Sequence, residues 1–407
     1  MTKSGQEGRV LLASDKFKGS LTATEVAEAL AAGMRDVLPR LETLMLPVAD
    51  GGDGTVAAAV SAGYDKMIVD AVGPTGEPVR APYALDGDRA VVELAAVVGL
   101  NVLPGGRLDP LGSSTYGLGL VIADAIRQGA STIVLGIGGS ASTDGGAGMV
   151  QALGARLLDA SGRDLPPGGA ALVDLAHLDL AVLRATSGSV KIIVASDVDN
   201  PLLGANGAAA VFGPQKGAGP QELETLERGM RRWSQLVSEA TGRNDTERQG
   251  AGAAGGTGYA ALALLNAQIR PGIELILDLI NFDAHVMGAD LVVTGEGSLD
   301  EQSLAGKAPI GVARAAARAG VPVVAVAGRL QLSPQRLREA GISAAYSLSD
   351  LEPDAARSIA NASSLLRQIG ARIAQDWLVL TGRMEPSKRV QHERFGQAGS
   401  GEVTQME

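Results

Sequence analysis

Apolar runs that stop abruptly at glycine-rich, carboxylate-bearing loops recur along this chain, and that grammar constrains its fold more than any other feature. Val10 to Ala13 runs into Ser14-Asp15-Lys16-Phe17-Lys18-Gly19-Ser20, and Leu44 to Val48 into Ala49-Asp50-Gly51-Gly52-Asp53-Gly54-Thr55. Thr132 to Ile137 leads into the stretch Gly136 to Gly148 with Asp144, and Lys191 to Ala195 into Ser196-Asp197-Val198-Asp199-Asn200. Leu291 to Thr294 ends in Gly295-Glu296-Gly297-Ser298-Leu299-Asp300. Strands alternating with helices predict a parallel sheet covered on both faces, a doubly wound α/β fold.

The helices have their own signals. Val26, Leu30, Met34, Val37 and Leu38 recur at helical spacing after Thr22, with Glu25 completing a capping box and Pro39 closing the helix. Further helices are predicted over Thr55 to Ala62, Gly117 to Gln128, Gly145 to Leu153, Pro220 to Ala240, Ile310 to Ala319, Pro334 to Ala340 and Ala355 to Leu380. Val321 to Ala327 and Ala344 to Leu348 are predicted strands, while Val72 to Gly106 carries the Pro/Gly turns of antiparallel or mixed structure. The simplest organisation is a discontinuous α/β domain formed by residues 1–71 and 286–380, with a mixed α/β domain, 72–285, inserted into it. The polar stretch 381–407 is expected to be a disordered tail.

Composition removes several functions. Without cysteine there are no disulfides, thiolate nucleophiles or Cys-based metal sites, and three scattered histidines make a His-rich centre improbable. A net charge of −10 and 3% aromatic residues argue against a nucleic-acid partner, which needs cationic grooves and stacking rings. No secretory signal opens the sequence, so a cytoplasmic location is expected. The uncharged stretch from about Gln249 to Ile269 is interrupted by glycines and Asn266, and is read as a glycine-rich loop entering a buried helix, not a membrane span.

Glycine is the outlier, with 55 in 407 residues. Its clustering beside Asp, Ser and Thr after strands suggests ligand-cradling loops, because backbone N–H groups reach phosphate oxygens only where no side chain intervenes. In open α/β sheets the ligand crevice lies at the carboxyl ends of the strands, where these loops converge. Gly136-Ile137-Gly138-Gly139-Ser140-Ala141 also fits the G-x-G-x-x-A dinucleotide pattern, which a tight strand-to-helix turn satisfies equally well. Asp50, Asp53, Asp197, Asp199, Glu296 and Asp300 are candidate Mg²⁺ or base positions, with turn-shaping and helix-capping as the plainer alternative. Period-2 spacing favours Asp197 and Asp199 as a pair aimed at one cleft. Lys16, Lys18 and Lys307 sit in Gly/Ser loops where a mobile cation can meet an anion. His177 and His285 are expected to be structural. The residues alone thus indicate an α/β enzyme handling a phosphorylated or anionic small molecule with Mg²⁺, expected at an interdomain cleft.

These motifs carry a resemblance. Ala13 to Ser20, Ala49 to Thr55, Gly136 to Ser140 with Thr143-Asp144-Gly145-Gly146, and Thr294 to Gly297 with Asp300, Gln302, Gly306 and Lys307 strongly resemble the type 1 bacterial glycerate kinases. The resemblance runs from about Val10 to about Leu380. It implies a flavodoxin-like domain with a second inserted domain, and ATP-dependent phosphorylation of D-glycerate, with 2-phosphoglycerate the favoured product and 3-phosphoglycerate the other. On this basis Gly138, Gly139, Ser140, Asp144, Gly145, Gly295, Glu296, Gly297 and Lys307 would bind ATP, and Glu296 or Asp300 would hold Mg²⁺. Asp15, Lys16, Lys18, Ser20, Asp50 and Asp53 would bind glycerate. Asp197, then Asp199, would take the hydroxyl proton, with Lys16 also catalytic. A homodimer is one expected assembly. The rival readings are a Rossmann-type NAD(P)-dependent dehydrogenase of a small hydroxy acid and a non-catalytic small-anion binder.

Overall fold

The computed structural model describes residues 8–380, so the tail 381–407 lies outside the described residues. Thirteen strands are formed among the described residues. They are β1 (Arg9–Ser14), β2 (Glu42–Met45), β3 (Asp65–Val72), β4 (Pro78–Asp86), β5 (Arg89–Glu93), β6 (Thr132–Gly136) and β7 (Arg156–Leu158). Then follow β8 (His177–Asp179), β9 (Lys191–Ala195), β10 (Gln268–Arg270), β11 (Leu291–Leu299), β12 (Val323–Leu330) and β13 (Ala344–Ser347). The expected α/β class holds, with two compact units.

Among the described residues, the first unit comprises 8–45, 283–301 and 313–380. Its sheet has the order β13-β12-β11-β1-β2, parallel throughout. Counted along the unit's own strands this is 2-1-3-4-5, the flavodoxin-like order, whose switch point falls between β1 and β11. There Ser14 pairs with Gly295 in register. The helix Ala23–Val37 begins at Thr22, whose side chain accepts from Glu25 N while Glu25 returns a bond to the Thr22 N–H, the expected capping box. It buries Val26, Leu30, Met34 and Val37. It packs on the helix Ala362–Ile373 at glycine contacts: a Cβ on Gly33 would sit 1.8 Å from the Arg367 carbonyl oxygen, and one on Gly370 2.3 Å from that of Leu30.

The second unit comprises residues 46–282 and 302–312. Its sheet has the order β10-β9-β6-β5-β4-β3, parallel from β10 to β5, with β4 and β3 antiparallel. A separate antiparallel pair joins β7 and β8. The buried core of this unit centres on Tyr83, Leu118, Ile122, Trp233 and Tyr259.

Several details differ from the sequence expectation. The units divide at 45/46, where 71/72 was expected, because β3 pairs with β4 and the hairpin carries the preceding segment into the second sheet. The return falls at 282/283 instead of 285/286, and 302–312 belongs to the second unit. The continuous helix expected over 355–380 is interrupted: Ala355–Ala360 ends at Asn361, Ala362–Ile373 follows, and Ala374–Val379 widens into a π-helical turn. The glycine-rich run does enter a buried helix, Ala253–Leu264, after left-handed backbone at Ala254, Gly255 and Gly256. No described helix is long and apolar enough to cross a membrane.

Candidate functional site

In the first unit, the carboxyl end of β1 meets β11 where Ser14 pairs with Gly295; Gly295–Leu299, expected as a loop, instead continues β11 because it pairs with β12 as far as Leu299 with Leu330. Asp15 N–H donates to the Gly295 carbonyl at 2.9 Å, and Lys16 N–H to Asp15 Oδ1 at 2.7 Å. Phe17, 3% exposed, anchors the turn, exchanging backbone bonds with Ser20 and Leu21, and Gly19 adopts φ +79°. Lys16 is half-buried and Lys18 exposed. A Cβ at Gly297 would lie 3.4 Å from Lys18 N, and one at Gly328 2.6 Å from the Gly297 carbonyl oxygen, so glycine keeps this edge low. Glu296 is buried within it, and Ser298 Oγ donates to Asp300 Oδ2 at 3.5 Å. Ser14 Oγ is buried with no hydrogen-bond partner among the described residues. Ser20 is not the helix cap, since Thr22 holds that position; its hydroxyl donates to the Ile359 carbonyl.

In the second unit, the loop Asp50 to Gly54 lies over the ends of β6 and β9. A Cβ on Gly51 would come within 2.9 Å of Ala195, one on Gly136 within 2.7 Å of the Gly51 carbonyl oxygen, and one on Gly138 within 2.8 Å of Gly52. Buried Glu93, at the end of β5, accepts from Gly54 N–H and Val56 N–H through Oε2 and so fixes the start of the helix Thr55–Ser61. Gly272 N–H donates to Asp197 Oδ1 at 3.0 Å, while a Cβ on Gly272 would strike the Asp50 carbonyl oxygen at 1.9 Å. Asp197 is itself exposed. Even so, displacement of water by surrounding protein pushes its carboxyl up to about 6; the Gly272 bond opposes this, and the charges of Asp50 and Glu274 add to it. A carboxylate poised there suits proton transfer near neutral pH.

Other predicted positions are placed differently. Asp144 is 1% exposed and turned inward, accepting from Thr115 N–H, Thr115 Oγ1, Ser114 Oγ, Gly146 N–H and Gly148 N–H. It organises the loop from beneath. Gly145 carries φ +65° against Trp233, whose Nε1–H donates to the Gly145 carbonyl. Residues 196–200 are not strand, so period-2 spacing does not aim Asp199 with Asp197; Asp199 and Asp53 are exposed and Asp50 half-buried. Lys307 is half-buried ahead of the helix Ala308–Arg318. Among the described residues no group of three or more His, Asp or Glu side chains is arranged to hold a metal.

Sequence reasoning missed Glu93, Gly272 and Lys216. Lys216 is 2% exposed, and its amine donates to Ser140 Oγ at 2.8 Å and to the Ser142 carbonyl oxygen. Burial pushes it down to about 7, against the pull of Asp144. Its setting, Gly213-Pro214-Gln215-Lys216-Gly217, has the glycine-flanked lysine signal that singled out Lys16 and Lys18.

A flavodoxin-like sheet and a mixed sheet, each bearing glycine-lined loops and charged side chains at its strand ends, define an α/β enzyme with small-molecule sites. The model of the Glycerate kinase family matches residues 10–378. The chain is 46% identical over 343 residues to a glycerate kinase of Bacillus subtilis, covering 84% of this chain and 90% of that one. It is 41% identical over 344 residues to the glycerate 2-kinase of Escherichia coli, with 84% and 90% covered. The crystal structure described as a putative glycerate kinase 2 from Salmonella typhimurium superposes with a TM-score of 0.79 at 42% identity, covering 91% of this chain and 98% of that one. The chain therefore belongs to the glycerate kinase family and is a kinase.

Proposed function

We propose that this protein transfers the γ-phosphoryl group of ATP to the 2-hydroxyl of D-glycerate, giving ADP and 2-phosphoglycerate. The observation that carries the reading is the family match across residues 10–378; the name of the Escherichia coli relative supports the 2-position. Phosphoryl transfer asks a protein mainly for in-line positioning and charge neutralisation. The Gly136–Gly148 loop supplies the nucleotide cradle, with Lys307 as a further cation, and Gly295, Glu296 and Gly297 of β11 are read as further nucleotide contacts. Lys16, Lys18 and Ser20 grip the glycerate carboxylate, with Lys16 neutralising charge during transfer, and Asp15, Asp50 and Asp53 complete the substrate contacts. Asp197 orients the attacking hydroxyl and takes its proton as the new O–P bond forms and ADP leaves; Asp199 is second to it.

Glu296 and Asp300 offer hard oxygen donors, and Mg²⁺ needs only one or two carboxylates when phosphates supply the remaining oxygens, so the donor set fits a phosphate-borne ion. Bound there, Mg²⁺ would neutralise phosphate charge. The substrate pair, ATP and a small hydroxy acid, suits action in the cytoplasm. A coupled assay tests the reading: ADP should appear only when D-glycerate, ATP and Mg²⁺ are all present. A glycerate-independent signal, or nicotinamide reduction in place of ADP, would overturn it.

A further inference from the structure

Lysine is almost never fully buried unless paired, because the charged amine loses its hydration. Lys216 is buried all the same, and its bonded acceptors are neutral: the Ser140 hydroxyl and the Ser142 carbonyl. Asp144 acts on it electrostatically, but that carboxylate already accepts from backbone and hydroxyl donors of residues 114–115, 146 and 148. Space for the amine is kept by Gly255, where a Cβ would lie 3.0 Å from Nζ and where φ is +66°. The backbone of Lys216 is fixed as well, its N–H donating to the Gly213 carbonyl at 2.9 Å.

Both acceptors belong to the turn that follows β6, which further backbone bonds hold. Gly138 N–H donates to the Gly51 carbonyl at 3.3 Å, the Gly139 carbonyl accepts from Leu100 N–H at 3.0 Å, and Ala141 N–H donates to the Val98 carbonyl at 3.0 Å. Gly139 has φ +76°. Exposed Gly139 has an N–H with no acceptor among the described residues, whereas Ser140 is buried behind the hydrogen-bonded turn at Gly138 and Gly139. An unspent N–H at an exposed, left-handed glycine is free to donate to an anion. The turn holds that form against its own flexibility, glycine being the residue with most conformational freedom to lose.

We infer that Lys216 is a positioning residue for phosphoryl transfer: by gripping Ser140 and Ser142 from beneath, it fixes the Gly138–Ser142 turn so that the Gly139 N–H meets a phosphate of the nucleotide. The inference rests on the proposed reading of this loop as part of the nucleotide cradle. Lys216 itself does not touch substrate.

The test is steady-state kinetics on Lys216→Met, Ser140→Ala and Gly139→Ala, with thermal melts alongside. Lys216→Met should raise the KM for ATP about tenfold or more and leave that for D-glycerate within about twofold. Ser140→Ala, which removes one of the two grips and keeps the amine, should move the ATP KM the same way by about threefold with an unchanged melt, and carries the test if Lys216→Met does not fold. A lowered melting temperature with both KM values unchanged in Lys216→Met and Ser140→Ala would make Lys216 a scaffold residue only and overturn the inference. Gly139→Ala separates the two failures. If it raises the ATP KM and the other variants do not, the inference falls and the cradle stands; if none of the three moves it, the cradle reading falls and takes the inference with it.

Discussion

The two units solve the same problem by different means. In the first, topology does the placing: an all-parallel sheet in flavodoxin-like order opens a crevice at its switch point, and Asp15, Lys16 and Glu296 are placed there because β1 ends beside Gly295 of β11. In the second, the sheet is mixed and the loops are longer, and buried polar side chains hold them: Glu93 under the Asp50 loop, Asp144 and Lys216 under the Gly136–Gly148 loop. A crevice formed by strand order needs few supporting bonds. One formed by long loops needs each polar anchor satisfied, since an unsatisfied buried group costs about 1–3 kcal/mol.

The comparison can be broken most sharply at Asp197. Asp197→Asn should lower kcat by about 10²–10⁴-fold. Its folded pKa, near 6, is raised above the unfolded value, so the fold favours the protonated acid; that contribution to stability is present at low pH and lost as pH rises through about 6. Asparagine should therefore melt at or above the wild-type temperature at pH 7.5, and the wild-type kcat/KM should climb with pH through about 6. A flat profile between pH 5 and 7 would remove Asp197 as the base. Gly272→Ala comes next, because its Cβ would displace the Asp50 carbonyl. It should cost about 1–3 kcal/mol in urea unfolding and lower kcat as well. In the first unit, Lys16→Ala should raise the D-glycerate KM about tenfold with the ATP KM changed less. The smallest effect is at Thr22→Ala, where loss of the capping box should cost about 1 kcal/mol with neither KM altered.

What was legible in the sequence was local. Fully apolar runs such as Val10 to Ala13 and Ile192 to Ala195 marked strands, Thr22 with Glu25 marked a helix start, and the glycine-carboxylate motifs after β1, β6 and β9 marked strand ends. What was missed depended on partners distant in the chain. β3 is largely exposed, with buried Ala71 near its end, so it carries no strong apolar signal, and its pairing with β4 moves the unit boundary. β2 starts at Glu42 and ends at Met45, before the apolar Leu46 and Val48 that suggested a later strand. The apolar period continues across Asn361, where backbone at φ −107° and ψ 13° ends the helix. Within the site, residue type pointed to Asp197 but could not show that Gly272 holds it or that Asp144 faces inward. Glu93 and Lys216 read as ordinary charges until burial and hydrogen bonding are known.

Phosphorus NMR of a reaction containing ATP, Mg²⁺, D-glycerate and this protein tests the central claim most directly. The account predicts that the γ-phosphate resonance of ATP declines as those of ADP and 2-phosphoglycerate grow together, in equal amounts and only with D-glycerate present. Unchanged ATP would contradict phosphoryl transfer altogether, and growth of 3-phosphoglycerate in its place would contradict transfer to the 2-hydroxyl.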